Sequence, residues 1–209
     1  MRYLDVPQGS REWLQARCGI PTSSEFDRIL TPKTLQLSKA SEKYMHQKLA
    51  EWMTGTPFSE EVRIWSTAME DGIEREQQSV DYYELVSGKT TTLAGFCLSD
   101  CGRYGSSPDR FIGDREAILE VKNPTAGTHV GWLLGNKIPD EHLLQCQGQL
   151  FVTGLPRHVF LSYFPGLPAL IVESRPLPDY QDALANALED FSSRFAAAKL
   201  RLHALRGAP

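Results

Sequence analysis

The chain has 209 residues and a mass of 23.4 kDa, and a globule of that size buries roughly 70% of its unfolded surface, so its core needs no disulfide or structural metal. Its 41% hydrophobic and 23% charged content excludes a disordered or fibrous chain. A net charge of -4 excludes a protein that coats nucleic acid by bulk positive charge, but not a DNA enzyme whose basic groups are gathered on one surface.

Helical signals dominate the first third. Ser10 is placed to cap a short helix through Arg17. Thr22-Ser23-Ser24-Glu25 has the form of a capping box and predicts a second helix toward Leu30, ended by Thr31-Pro32. Residues 38–54 read as a third helix closed by Gly55. A further capping box, Thr67-Ala68-Met69-Glu70, opens a long helix that reaches Ser87 and stops at Gly88. The middle of the chain changes period. Residues 90–98, 110–112 and 117–122 read as strands, the last two joined at Gly113-Asp114, a tight hairpin signal. Two helices, around residues 129–134 and 141–152, precede apolar runs at 158–164 and 169–173 that are split by Pro165-Gly166. Leu184, Leu188, Phe191, Phe195, Ala198, Leu202 and Leu205 then step at helical spacing along a final amphipathic helix. No repeat or linker divides the chain, so residues 1–209 read as one mixed α/β domain. Cys18, Cys97, Cys101 and Cys146 read as reduced thiols. With no apolar run of membrane-spanning length and no cationic-then-apolar leader, they predict a cytoplasmic protein without membrane attachment.

Polar residues where the pattern asks for apolar ones carry the functional signal. In the helix from Thr67, Met69, Ile73, Val80 and Tyr83 form a stripe that Glu76 completes; a carboxylate there is costly unless compensated, or else the helix is rotated and Glu76 lies at its edge. In the strand 117–122, alternation puts Ile118, Glu120 and Lys122 on one face and Leu119 and Val121 on the other. That Glu and Lys are either a solvated pair on an edge strand or part of a site. Ser107-Pro108-Asp109 precedes the partner strand, so a hairpin brings Asp109 close to Glu120. Two such carboxylates repel unless a divalent cation sits between them, and hard oxygen ligands suit Mg²⁺ or Mn²⁺. Lys122, one step along, is placed to orient or deprotonate a water there. Finally, Gln145 and Gln147 interrupt an otherwise apolar helix, either as buried amides satisfied by backbone or as groups set against a phosphate or a metal-bound water.

Taken in order, these segments resemble the lambda exonuclease and YqaJ-like viral recombinase nucleases of the restriction-endonuclease-like PD-(D/E)xK superfamily. The matching pieces are Trp13-Leu14-Gln15-Ala16-Arg17-x-Gly19, Thr22-Ser23-Ser24-Glu25, Gly72-x-x-x-Glu76, Ser107-Pro108-Asp109, Leu119-Glu120-Val121-Lys122-x-Pro124 and Gln145-x-Gln147, within residues 8–155. The remainder agrees only in having strands and a last helix.

The resemblance implies a restriction-endonuclease-like core, a central mixed β-sheet flanked by helices with a long C-terminal helix. It implies that Asp109, Glu120 and the Val121 carbonyl bind metal, that Glu76 assists, and that Lys122 positions the attacking water. Arg17, Ser24, Ser107 and Gln145 are implied to receive a 5′-phosphate, with Gln147 beside them. The implied activity is Mg²⁺-dependent 5′→3′ degradation of one strand at linear double-stranded DNA ends, which leaves 3′ single-stranded tails for phage recombination. A homotrimer and a single-strand annealing protein as partner are implied too. Another nuclease on the same core, or a catalytically inactive DNA-end-binding module, are the alternatives. Trp13 reads as core, His129, His142 and His158 lack metal-ligand spacing, and Lys33 and Lys39 carry no assignment.

Overall fold

The computed structural model describes residues 1–58 and 67–206, the side chains of residues 67–73 and 206 excepted. The capping box at Thr67 and the Met69 and Ile73 members of the helix stripe therefore lie outside the described side chains. In chain order the elements are β1 (Arg2–Leu4), α1 (Arg11–Arg17), a 3-10 helix (Ser23–Arg28), α2 (Ser41–Thr54), α3 (Thr67–Ser87), β2 (Thr91–Leu93), β3 (Phe96–Leu98), β4 (Gly105–Ser106), β5 (Arg110–Ile112), β6 (Ala117–Lys122), α4 (Ala126–Gly135), α5 (Asp140–Thr153), β7 (His158–Ser162), β8 (Leu170–Ser174) and α6 (Pro178–Arg206).

Five strands form a mixed sheet in the order β2-β5-β6-β7-β8, in which only β6 and β7 run parallel. A smaller sheet is ordered β1-β3-β4. The architecture is the mixed α/β arrangement with a long last helix that the sequence suggests. Strand β6 is central, so five of its six residues are buried and the edge-strand reading of Glu120 falls away. Its two faces meet different partners. Leu119 and Val121 pack with Val80 and Tyr83 of α3, while Ile118 joins a larger core with Phe26, Leu144, Leu150, Leu184 and Phe191 from the 3-10 helix, α5 and α6.

Several local expectations hold in detail. Ser10 caps α1 by accepting from the Trp13 amide at 3.1 Å. The α6 stripe packs inward through Leu202, but Leu205 is 71% exposed because the helix runs past the body it covers. Other expectations are corrected. The segment after Thr22 is a six-residue 3-10 helix with no side-chain cap. Glu25 has better partners than the cap: it accepts from Arg28 at 2.8 Å and from the Tyr44 hydroxyl at 3.0 Å. Helix α2 begins at Ser41, since Ser38 closes a turn onto it. The β5–β6 connection spans residues 113–116 with Gly113 and Arg115 both left-handed, rather than two residues.

The run 90–98 is two strands in two different sheets, broken at Gly95. A Cβ on Gly95 would stand 2.2 Å from the Leu4 carbonyl oxygen and 2.9 Å from the Val6 nitrogen. Only a bare backbone lets the N-terminal segment cross there. No helix among the described residues is long and apolar enough to cross a membrane.

Gly95→Ala should therefore cost about 2 kcal/mol by overpacking and lower Tm by roughly 4–8 °C. Gly127→Ala in α4, where a Cβ meets nothing within 4 Å, should leave Tm unchanged or raise it. Equal melting curves for the two variants would remove the crossing argument.

Candidate active site

The β5–β6 register pairs Arg110 with Leu119, and extending it one step sets Asp109 opposite Glu120. Asp109 is fixed along the strand end by accepting the Val121 amide on Oδ2 at 2.7 Å. Glu120 and Lys122, two residues apart, share a face, and that face meets α5. Glu120 is only 1% exposed, yet it collects three donors. Lys122 Nζ and Gln145 Nε2 donate to its Oε1 at 2.5 and 2.6 Å, and Gln149 Nε2 donates to its Oε2 at 2.5 Å. Residues 145 and 149 are one helical turn apart and so project together. Lys122, 26% exposed, marks the open side of the cluster.

Glu76 reaches this cluster from α3, which is pinned by Ser79 donating to Asn123 Oδ1 at 2.6 Å and by Arg110 donating to Gln77 Oε1 at 2.8 Å. Burial pushes the Glu76 carboxyl up. Arg110 works against that, and the Glu120 charge adds to it. Asp109 is raised well above the usual carboxylate range by burial and then by the Glu120 charge; Lys122 opposes and Glu76 reinforces. Glu120 goes the other way. Burial raises it, but Lys122 and Gln149 together outweigh burial and hold it low. For Lys122, burial is outweighed by Glu120 and Asp109, which raise its pKa. The cluster is therefore an ionised Glu120–Lys122 pair with two more carboxyls whose charges it strains to accommodate.

Among the described residues, no three carboxylate, imidazole or thiol side chains converge as a ready-made metal cluster. Mg²⁺ does not need three. It is commonly held by one or two carboxylates and keeps several waters. Asp109 and Glu120, face to face across the hairpin and costly to ionise together, fit such an ion, with the Val121 carbonyl as a neighbouring hard donor. Glu76 belongs to the same electrostatic group.

A second cluster lies on α1 and the loops around it. The Arg17 guanidinium stacks 4.0 Å over the Trp13 ring and donates to Ser107 Oγ and Thr22 Oγ1, each at 3.4 Å. Trp13 Nε1 donates to Ser107 Oγ at 2.9 Å, so Trp13 is both core and a positioning group for this cluster. Ser24 is exposed, with its hydroxyl 3.3 Å from that of Thr22. Side-chain hydroxyls and a guanidinium can hold an anion here; the short 3-10 helix adds little dipole. Gly148 of α5 lets this segment dock, since a Cβ there would meet the Phe26 ring at 2.7 Å.

The structure thus brings Arg17, Ser24 and Ser107 together, and separately brings Glu76, Asp109, Glu120, Lys122 and Gln145 together. It places Gln147 with neither. Gln147 is fully buried and donates to Ser174 Oγ and the Arg175 carbonyl while accepting from the Leu177 amide. It ties β8 to α6 and is a structural amide. Gln149, to which no role was given, holds Glu120 instead. Its signal was the four-residue spacing from Gln145.

The YqaJ-like viral recombinase domain model matches residues 12–156. Among solved structures the chain is similar to an alkaline exonuclease (LHK-Exo) from Laribacter hongkongensis, at TM-score 0.79 and 25% identity over 95% of this chain and 100% of that one. The same protein in complex with dAMP matches equally. A phage-related exonuclease from Haemophilus somnus 129PT shares the fold at TM-score 0.65 and 11% identity, over 88% of this chain and 96% of that one. No curated protein sequence matches the chain.

Burial pushes the His158 imidazole down from 6.5 to about 4. The unfolded chain then takes up that proton first, so the stability His158 contributes is present above pH 6.5 and is lost as pH falls toward 4. His158→Gln removes this dependence. Its thermal midpoint should fall less steeply than the parent's across that window. Asp109, raised rather than lowered, works with the opposite sign in both proteins and cancels in the comparison. Parallel profiles would contradict the assignment.

Proposed function

The chain belongs to the YqaJ-like viral recombinase family, and on that premise we propose that it is a Mg²⁺-dependent 5′→3′ exonuclease acting on linear double-stranded DNA ends. Mn²⁺ is a workable substitute. The observation that carries this reading is the pairing of Asp109 with Glu120 across the β5–β6 hairpin, with Lys122 on the same face. Family membership and the likeness to an alkaline exonuclease support the coarser statement, a phage-type nuclease. The relative's complex with dAMP, a mononucleotide, fits stepwise release of single nucleotides.

Bound Mg²⁺ would supply Lewis-acid polarisation of the scissile phosphate and an acidified water. The protein's own groups do the rest. Lys122 stays protonated because Glu120 and Asp109 favour its charge. A cationic amine is a poor base, so its part is to donate to water or phosphate and to offset charge gathering on the phosphoryl oxygens. Glu120, held low and fully hydrogen-bonded, presents a fixed anion. Arg17, Ser24 and Ser107 offer charge-assisted and neutral donors to a terminal 5′-phosphate, which supports the strand polarity. A homotrimer around the duplex, a single-strand annealing protein as partner and a cytoplasmic workplace complete the proposal, supported by the family alone.

The deciding experiment is a time course on linear duplex labelled at either end, with Mg²⁺ or EDTA, beside closed circular DNA. Label at the 5′ end should be released first, only with Mg²⁺, and circles should survive. Cut circles would replace the proposal with an endonuclease. Lys122→Ala should lower the rate by roughly 10²-fold or more while DNA binding persists. Full activity in that variant would remove the site. Arg17→Ala should reduce the preference for 5′-phosphorylated over 5′-hydroxyl ends by about tenfold. An unchanged preference moves the phosphate pocket elsewhere.

A further inference from the structure

Glu120 is gripped on its dry side by a hydrogen-bonded chain that the nuclease motif does not contain. Strand register pairs Ile118 with His158, and Ile118 shares the face of Glu120, so the imidazole also points toward α5. There His158 Nε2 lies 2.6 Å from Gln149 Oε1, and Gln149 Nε2 lies 2.5 Å from Glu120 Oε2. Both His158 and Gln149 are fully buried.

The polarity of this chain is fixed by chemistry. An ionised carboxylate only accepts, so Gln149 must turn its NH₂ to Glu120 and its oxygen to His158. His158 must then donate from Nε2, which makes it the neutral Nε2–H tautomer. Among the described residues its buried Nδ1 has no hydrogen-bond partner. An apolar side chain would fill this space without that penalty, so packing alone does not account for a histidine here. What the histidine supplies is a donor that stops the Gln149 amide from flipping.

We infer that Gln149 and His158 are a positioning pair that sets the orientation of the Glu120 carboxylate for divalent-cation binding. The inference deepens the nuclease reading and rests on it. Anchoring Oε2 from the interior fixes the carboxylate plane. Oε1 then stays on the side of Lys122 and Gln145, the two donors that are partly exposed. Without the anchor the carboxylate can rotate toward Lys122 alone, and its alignment with Asp109 is lost. Partners that orient a metal-binding group in this way typically govern metal affinity by 10- to 100-fold.

The test is Mn²⁺ titration of the DNA-free protein by calorimetry, together with the Mg²⁺ dependence of duplex degradation. Gln149→Leu and His158→Leu should each weaken Mn²⁺ binding about tenfold or more, and raise half-saturating Mg²⁺ by a similar factor, with a smaller change in kcat at saturating metal. His158→Gln, whose amide nitrogen can take the place of Nε2, should restore affinity. Leucine variants that fold and bind Mn²⁺ like the parent overturn the inference. Should they not fold, His158→Asn against His158→Gln replaces them: both are amides, but only the longer one reaches Gln149, and equal Mn²⁺ affinities again overturn it. Glu120→Gln is the control. A parent that binds Mn²⁺ no better than Glu120→Gln sinks the metal-site reading and takes this inference with it. A parent that binds, with leucine variants that bind equally, sinks the inference alone.

Discussion

A carboxylate charge held inside the central sheet is the constraint around which the rest is arranged. An ionised group that is 1% exposed is tolerated only when paired and hydrogen-bonded. Lys122 supplies the countercharge from the same strand, and Gln145 and Gln149 supply amide donors from the helix that covers it. This dictates the character of α5. The helix is apolar where it meets the core, through Leu144 and Leu150, and carries amides where it meets Glu120. Asp109 cannot ionise as readily because it is buried and, next to that, because the charge of Glu120 is already there. That crowding of carboxyls is a property of the scaffold, and on the nuclease reading it makes a divalent cation the natural complement, since the ion lowers the cost of ionising them together.

The fold ties this carboxylate group to the Arg17 cluster through one short stretch of chain. Ser106 is joined to Ser23 by hydroxyls 2.8 Å apart, Ser107 receives Trp13 and Arg17, and Asp109 faces Glu120. Four consecutive residues thus bridge both clusters. Displacement of either would be transmitted to the other by covalent geometry rather than by flexible contacts. Two docking features hold the stretch in place. Gln8 donates to the carbonyls of Ala94 and Pro108, and Gly148 admits the 3-10 segment against α5. In the nuclease reading, this bridge sets the separation between the bound end and the bond that is cut.

What the sequence revealed and what it hid follow from the range of the forces involved. Glu120 and Lys122 stood out because a period-2 strand assigns faces without reference to the rest of the chain, and Asp109 followed from hairpin pairing. Ser10 was legible for the same reason: a cap is satisfied within one turn. Thr22-Ser23-Ser24-Glu25 misled because Glu25 is claimed by Arg28 one turn on and by Tyr44 and Lys48, which only the fold brings to it. The split of residues 90–98 was invisible because it depends on the N-terminal segment crossing Gly95. The choice among three alternate glutamines could have been made by geometry. At about 100° per residue, Gln145 and Gln149 lie on one side of α5 and Gln147 on the other, so an amide facing Glu120 at either of the first two excludes the third.

The same charge distribution explains how an acidic chain can engage a polyanion. Its net charge is -4, and three carboxyls, Glu76, Asp109 and Glu120, act on one another around a single lysine. On the nuclease reading, a phosphate approaching that group alone would be repelled by its ionised carboxylates, while Arg17 and the hydroxyls beside it would draw the terminal phosphate in. On the nuclease reading, a divalent cation reverses the sign of the local field, so cation and DNA each raise the affinity for the other. That coupling is reciprocal by thermodynamic necessity. It requires the carboxylates to remain costly to ionise together, because a site fully neutralised by the protein's own lysines would bind DNA without any cation.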